Sequence, residues 1–224
     1  MEPVPALVTL HVWRVSARAV PVALARMAVD SRAARRTPGV RFAKMLGTGR
    51  GFAVSEADPT RWAKLTTWAA PGPDPVAAAW ERLATETLRL ELRPLGSTGR
   101  WSGREPFGTP RAERYDGPLV ALTRARLAPK KAVAFWRSVP PVQAALAGAP
   151  GLRASLAIGE APVGLQGTVS LWEGARDVRA FTTGPAHARV VADTTRLGWY
   201  VEELFARFAV LDAAGTLDGA EPFR

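Results

Sequence analysis

The segment Val8-Thr-Leu-His-Val-Trp-Arg-Val15 recurs in altered form 112 positions later, as Val120-Ala-Leu-Thr-Arg-Ala-Arg-Leu127. Apolar residues recur along both copies in the alternating pattern that is typical of a β-strand with one buried face. A Pro-Gly turn follows at the same offset, at Pro38-Gly39 and Pro150-Gly151. Matches ending at Trp68 and Trp172, and later between residues 99–103 and 215–219, keep the same order. The chain is therefore predicted to contain an internal duplication.

Each half then has the same predicted order, strand–helix–strand–strand–helix–strand. The predicted strands are 8–15, 40–46, one ending at Trp68 and 88–95 in the first half, and 119–127, 152–158, one ending at Trp172 and 205–211 in the second. This is the ferredoxin-like βαββαβ unit, whose sheet has helices on one face only. Because the other face must also be buried, two units are expected to pack sheet to sheet. We therefore predict an α+β fold, in which two fused ferredoxin-like repeats form a pseudo-dimeric α/β barrel with its pocket either under the helices of one half or inside the barrel.

The predicted organisation is a first ferredoxin-like repeat at 1–103, a Gly/Pro-rich linker at 104–117 and a second repeat at 118–224. A fused barrel needs no partner to close, so both a monomer and a homodimer are compatible with it. The N-terminus lacks the basic and apolar regions of a signal peptide, and no apolar stretch is long enough to span a bilayer. We expect a cytoplasmic protein that can contact a membrane peripherally and has no integral membrane segment.

Composition excludes several kinds of site. The 224 residues include no cysteine and only two histidines, His11 and His187, which excludes disulfides, Cys-ligated metals and a haem thiolate. The formal net charge of +10 favours an anionic partner or ligand. The basic residues are scattered, however, and no nucleic-acid-binding motif accompanies them, so we expect no nucleic-acid partner.

The two halves differ most around His187. The stretch from Asp177 to Leu204 is 13 residues longer than its counterpart from Asp74 to Leu88, and the added segment contains Gly184-Pro-Ala-His187. A Gly-Pro pair can start a helix, on which Val190 and Val191 would share a face with the histidine. Such an imidazole is either a core histidine bonded to a carbonyl or an axial haem ligand with an apolar wall. His11, on a strand present in both halves, is the second-ranked candidate.

Several segments resemble spheroidene monooxygenase and its relatives, over nearly the whole chain. They are residues 44–52 (KMLGTGRGF), 99–103 (GRWSG), 135–140 (FWRSVP), 158–160 (IGE), 184–188 (GPAHA) and 198–208 (GWYVEELFARF). The resemblance implies a haem-containing oxygenase of α/β-barrel fold. That family introduces a keto group into an acyclic carotenoid by successive hydroxylation with O2, using electrons from a donor such as ferredoxin.

From this resemblance we predict a haem-dependent monooxygenase acting on a hydrophobic small molecule, with haem b as cofactor and His187 Nε2 as the iron ligand. Lys44 and Arg50, on or near the glycine-rich loop, are the candidates for pairing with the propionates. The sequence does not identify distal catalytic residues. Two alternatives stay open: another haem reaction, dehydratase or peroxidase-like, and a cofactor-free α/β-barrel binder of small molecules.

Overall fold

In the residues that the structure describes, eight strands and five α-helices follow one another in the order expected from the predicted repeats. The computed structural model describes residues 2–51, 56–111, 113–160 and 165–223. The first half contains β1 (Leu7–Val15), α1 (Val20–Arg36), β2 (Val40–Gly49), β3 (Ala57–Trp68), α2 (Pro75–Glu81) and β4 (Ala84–Gly99). The second contains β5 (Leu119–Leu127), α3 (Ala132–Ala147), β6 (Leu152–Gly159), β7 (Leu165–Trp172), α4 (Ala175–Thr183), α5 (Pro185–Leu197) and β8 (Tyr200–Gly215). The predicted mixed α+β class is confirmed.

The strands form one closed, antiparallel barrel in the order β1-β3-β2-β6-β7-β5-β8-β4. Within each half the strand order is the same, since β2-β3-β1-β4 corresponds to β6-β7-β5-β8. The two halves join where β4 pairs with β8 and where the end of β2 pairs with β6. Each of these eight strands pairs on both sides, and closure turns the face that the helices do not cover into the barrel interior, where it is buried.

The pairing registers of the halves also correspond. His11 lies opposite Lys64 on β3, and Thr123, at the offset of 112, lies opposite Thr168 on β7. Leu7 pairs with Trp68 in the same way that Leu119 pairs with Trp172. Residues of the two halves can therefore be compared position by position.

Apolar side chains fill the barrel interior. This cluster takes inward-facing residues from all eight strands, among them Leu10, Leu65, Leu122 and Phe208, and each of these four is 1% exposed or less. Of the two pocket positions that the sequence left open, the interior of the barrel is thus occupied by its own core. A cavity lies instead outside the barrel, between the sheet and the helices of the second half.

The helices begin and end where local chemistry requires. Asp74 caps α2 by accepting a hydrogen bond from the Ala77 amide at 2.9 Å, and Pro75 occupies the first turn. The predicted extra helix of the second half is α5, which starts at Pro185 and ends at Leu197, with Gly198 as its C-cap in the left-handed region (φ 58°). The helix α3 continues through Pro140 and Pro141 as one element.

Two further predictions meet the limits of the described residues. Part of the glycine-rich loop after β2, residues 52–55, lies outside them, as does Ala112 of the predicted linker. No helix in the part of the chain that the structure describes is long and apolar enough to cross a bilayer.

Candidate haem-binding cavity

A cavity lies between the outer face of the second-half sheet and helices α3, α4 and α5. Its volume is about 310 Å³. It is lined by Arg50, Thr123, Phe135, Val139, Val142, Gln143, Leu146, Ala147, Ser155, Ala157, Thr168, Ser170, Phe181, His187, Val190, Val191, Thr194, Tyr200, Glu203 and Phe205. Ligand sites of this size are commonly apolar with a few placed polar groups, as here.

The cavity exists because the second half carries small residues where the first half carries large ones. Its floor consists of short side chains from three adjacent strands, Thr123 on β5, Ser155 and Ala157 on β6, and Thr168 and Ser170 on β7. At the equivalent positions the first half has His11, Ala43, Met45, Lys64 and Thr66. Four of the five floor positions are therefore smaller in the second half.

Aromatic rings fill the corresponding space of the first half. Trp13, whose counterpart is Ala125, stacks on Trp80 of α2 with ring centroids 5.3 Å apart, and Trp62 packs on Trp80 at 6.0 Å. Trp80 is fully buried and donates from Nε1 to Asp30 on α1 at 2.8 Å. Packing thus occupies one outer face, while the other is hollow.

His187 lies in the wall of this cavity, on the inserted helix α5, and its role as a ligand stays a prediction. Its Nδ1 lies 3.1 Å from the carbonyl oxygen of Thr182, in the last turn of α4. A carbonyl only accepts hydrogen bonds, so Nδ1 carries the proton and Nε2 keeps its lone pair. The ring of Phe181 packs edge-on against the imidazole at 5.2 Å. The end of α4 therefore holds the imidazole in one tautomer and one orientation.

The environment of His187 also keeps it neutral. Burial lowers the pKa of the imidazole below its ordinary value, and the bond to Thr182 offsets only part of that effect. A metal-binding histidine must be unprotonated at the ligating nitrogen and commonly donates its other N–H to a carbonyl or carboxylate. The donor set thus fits a haem iron: a neutral, oriented imidazole in an apolar wall. In the described residues no cluster of three or more His, Asp or Glu could hold a metal ion by itself.

Arg50 lines the same cavity, so the structure brings two of the three predicted residues together. It follows the end of β2, which pairs with β6 through Gly49 and Ala157, and its side chain is exposed. A guanidinium at the rim of the cavity can form bidentate hydrogen bonds with a carboxylate such as a porphyrin propionate.

Lys44 is not brought to the cavity. It alternates along β2 with Ala43 and Met45, which face the helices, and it therefore points to the opposite side of the sheet. There its ammonium binds the carboxylate of Glu160 and donates to Ser102 Oγ at 2.8 Å. Period-two alternation explains the different placement, since a shift of one residue changes the face of the sheet.

Glu160 is the centre of a charged network at that end of the barrel. It also accepts hydrogen bonds from Trp101 Nε1 at 2.6 Å and from Arg124 Nη2 at 2.9 Å. Arg124, 1% exposed, bridges to Glu202 as well. Burial would raise the pKa of Glu160, but the bonds from Lys44 and Trp101 and the charge of Arg124 hold it below its usual value. The network therefore closes the barrel end as a paired, ionised cluster.

Sequence reasoning missed most of the cavity wall. The floor hydroxyls, the Thr182 carbonyl and the Phe181 ring were not among the predicted site residues. Tyr200 and Thr194, which line the cavity together, were not assigned a role there either. Burial raises the pKa of Tyr200, so its phenol stays protonated and can donate a hydrogen bond. The signal that could have found the floor is the small-for-large exchange between equivalent positions of the halves.

The sequence matches curated proteins over most of its length. Spheroidene monooxygenase of Rhodobacter capsulatus is 34% identical over 214 residues, covering 91% of this chain and 89% of that protein. The chain belongs to the spheroidene monooxygenase family. Another member, from Rubrivivax gelatinosus, is 33% identical over 81% of this chain and 73% of that protein, and one from Cereibacter sphaeroides is 29% identical over 89% and 64%. Membership makes this chain an oxidoreductase enzyme. No protein-family model matches the sequence.

Among solved structures the family member is similar in fold to aldoxime dehydratase. One crystal structure of that enzyme gives a TM-score of 0.58 at 11% identity, covering 92% of this chain and 81% of the other. A second, in complex with butyraldoxime, gives 0.57 at 14% identity over 92% and 79%. At these identities the likeness concerns the fold.

Proposed function

We propose that this chain is a haem-dependent monooxygenase that oxidises a hydrophobic small molecule, of which an acyclic carotenoid is the class suggested by its relatives. The observation that carries the haem assignment is the bond from His187 Nδ1 to the Thr182 carbonyl beside an apolar cavity. Haem b bound there would supply O2 activation at its iron, with electrons from a donor such as ferredoxin.

The chain's own residues have defined tasks in this proposal. His187 presents Nε2, and α4 holds the ring in place through Thr182 and Phe181. Arg50 pairs with a propionate at the rim, a role also predicted for Lys44, whose ammonium instead binds Glu160 here. The apolar side chains of α3 and α5 hold the substrate and exclude water, which favours reactive chemistry over side reactions.

The cavity's asymmetry fits an origin by duplication. We propose that residues 1–103 and 118–224 descend from one ferredoxin-like unit joined by the segment 104–117. In this account the second copy lost its large outer-face residues and gained α5 with His187, whereas the first kept its tryptophan packing. The corresponding pairing registers of the strands in the two halves of the barrel support this origin.

The test of the ligand assignment is spectroscopic. Protein expressed with 5-aminolevulinate is expected to show a Soret band, and His187→Ala to abolish or shift it. His187→Gly with added imidazole should restore the wild-type band, because the free imidazole can enter the space that the side chain leaves. His11→Ala is the matched control, checked for folding by circular dichroism. A Soret band unchanged in His187→Ala would refute the assignment, and the absence of any band with added haemin would favour a cofactor-free binder.

Arg50 is tested by affinity. Because its side chain is exposed, Arg50→Gln should weaken haem binding by no more than about fivefold, the range of an exposed ion pair, and less at high salt. Arg50→Glu should weaken it further. An increase in haem affinity for Arg50→Glu would exclude a propionate at the rim beside this residue.

A dehydratase or peroxidase-like reaction is the second candidate, favoured by one observation. Because the chain has no cysteine, a haem iron bound here would have an imidazole ligand and not a thiolate, and a thiolate favours O–O cleavage more strongly. The fold shared with aldoxime dehydratase is compatible with this alternative. The reactions separate under ¹⁸O2: a monooxygenase puts labelled oxygen into its product and stops without O2, whereas a dehydratase turns over anaerobically.

A further inference from the structure

Trp172, the last residue of β7, contacts groups of both the floor and the wall of the cavity. It is 1% exposed, and its indole Nε1 donates a hydrogen bond to Ser170 Oγ on the floor at 2.8 Å. Its ring packs against the ring of Phe181 on α4, with the centroids 5.5 Å apart. Phe181 in turn packs edge-on against the imidazole of His187 at 5.2 Å. One buried side chain therefore connects a floor hydroxyl to the imidazole in the wall.

The bond from Trp172 determines what the Ser170 hydroxyl can do. A serine hydroxyl has one proton to donate and two lone pairs that accept. Because an indole N–H can only donate, Ser170 Oγ accepts this bond and keeps its own proton for another partner. Ser170 is 7% exposed and lines the cavity, so its environment strengthens a hydrogen bond to a bound molecule. The hydroxyl is thus available as a donor to a ligand in the cavity.

The equivalent tryptophan of the first half, Trp68, makes a different bond. Its Nε1 donates to Thr9 Oγ1 on the neighbouring strand at 3.0 Å. In the second half Ala121 occupies the position of Thr9 and has no hydroxyl, and Ser170 occupies the position of Thr66. Among the described residues Thr66 Oγ1 is buried without a hydrogen-bond partner. The loss of the Thr9 hydroxyl therefore explains why the indole bonds the floor residue only in the second half.

Aromatic packing restricts the plane of the His187 ring. The bond from Nδ1 to the Thr182 carbonyl fixes one atom of the imidazole, and the terminal torsion of a histidine side chain has broad energy minima. The packing of Phe181 limits rotation about that torsion, and Trp172 packs on Phe181. Without the indole ring, Phe181 can move and the imidazole can turn away from the carbonyl.

We propose that Trp172 is a positioning residue of the cavity, which holds the Ser170 hydroxyl as a hydrogen-bond donor to the ligand and, through Phe181, holds the ring of His187. The use of His187 as an iron ligand rests on the proposed function. The two tasks belong to different parts of one side chain, because Nε1 serves the hydroxyl and the ring surface serves Phe181. Different substitutions can therefore remove them separately.

NMR of the full chain, labelled with ¹⁵N-histidine and prepared without haem, tests the second task. The sequence has only two histidines, so the signals of His11 report whether the fold is intact. Trp172→Leu should add the Nε2-protonated tautomer of His187 and raise its pKa towards that of a free histidine, because burial of the ring keeps the pKa low. Trp172→Phe keeps a ring beside Phe181 and should preserve the wild-type signals. Trp68→Leu is the matched control, since Trp68 is 2% exposed at the equivalent position.

Phe181→Leu removes the link itself and keeps the test valid if Trp172→Leu does not fold. It should produce the same change in the His187 signals as Trp172→Leu. An unchanged tautomer and pKa in Phe181→Leu would overturn the supporting role of Trp172. An equal change in Trp68→Leu would overturn it as well, because the effect would then follow from any loss of tryptophan packing.

Two probes of the same shape test the hydroxyl without haem. Benzonitrile accepts a hydrogen bond at its nitrogen, whereas phenylacetylene carries a C–H group there. Both are only slightly larger than benzene, which a cavity of about 150 Å³ holds, so the 310 Å³ cavity has room for either. The ratio of their Kd values, measured by titration of the His187 signals, largely cancels the apolar contribution.

Ser170→Ala should reduce the preference for benzonitrile by about two- to tenfold, the net contribution of one hydrogen bond. Trp172→Phe should reduce it by a smaller factor, because the hydroxyl is then free to turn away from the ligand. Ser170→Thr keeps a hydroxyl and should keep the preference. A preference that survives Ser170→Ala, or one that Trp172→Phe leaves at the wild-type value, would overturn the first task. Since no measurement uses haem, a chain without a Soret band can pass these tests and a haem-binding chain can fail them.

Discussion

Replacing a residue of the cavity floor by its larger counterpart from the first half should raise the free energy of unfolding and weaken haem binding. Ala157, on the cavity floor, occupies the position of Met45, which is 4% exposed and packed under α1 and α2. Ala157→Met adds three heavy atoms beyond Cβ. At about 0.8 kcal/mol for each methylene-sized group removed from water, their burial contributes roughly 2.4 kcal/mol. Fixing the flexible side chain costs about 1.5 kcal/mol, so the expected gain is about 1 kcal/mol.

Urea unfolding measures this gain. With a slope near 2 kcal/mol per molar urea, the midpoint should rise by roughly 0.5 M at unchanged slope. Haem titration should show at least about tenfold weaker binding, because a ligand must now displace or distort a packed side chain. The matched variant Met45→Ala should do the reverse in the filled half: it should cost about 2–5 kcal/mol and leave haem affinity as it was. An Ala157→Met protein that is less stable than the wild type and still binds haem normally would refute the assignment of a hollow second half.

Two other predictions concern buried charge. Burial and the charge of Lys64 lower the pKa of His11 to about 4, so the unfolded chain takes up this proton first as the pH falls. The free energy of unfolding should be highest above pH 6.5 and should fall by about 3 kcal/mol towards pH 4. Urea unfolding of His11→Gln should show a flatter pH dependence. Arg124→Met leaves Glu160 and Glu202 without their shared cation and should lower the free energy of unfolding by about 3–5 kcal/mol, whereas a loss below about 1 kcal/mol would mean that the network contributes little.

The fold could be predicted because the predicted repeat constrains several levels of structure at once. When strands, turns and offsets keep the same order in two halves, few topologies are possible. The sheet face that no helix covers can then be buried by packing against the sheet of the other half. Strand lengths were less accessible: β4 and β8 extend well beyond the predicted 88–95 and 205–211, because their pairing with each other across the halves prolongs both. Pairing between distant segments is not encoded in local alternation.

Which site residues could be predicted depended on the sequence pattern around each of them. His187 and Arg50 belong to segments that differ between the halves, and an exception to a repeat points to a function. Lys44 lies on a strand, where its neighbours at positions 43 and 45 face the helices and it does not. The hydrogen-bond partner of His187 could not be predicted from the sequence, for another reason. A backbone carbonyl such as that of Thr182 has no side-chain identity, so no residue pattern reveals it.

The difference between the packed first half and the hollow second half also explains how one fold can combine stable packing with an open cavity. Hollowing a packed face forfeits dispersion contacts and adds cavity surface, which destabilises a domain. Here the cost is confined to one outer face, because the barrel interior and the Trp13–Trp80 packing of the first half remain intact. The second half needs an additional element to cover the opened face, and α5 supplies it together with His187. The inserted helix α5 thus both carries the proposed ligand and covers the cavity. Deletion of α5 would therefore remove His187 and expose the small side chains of the cavity floor.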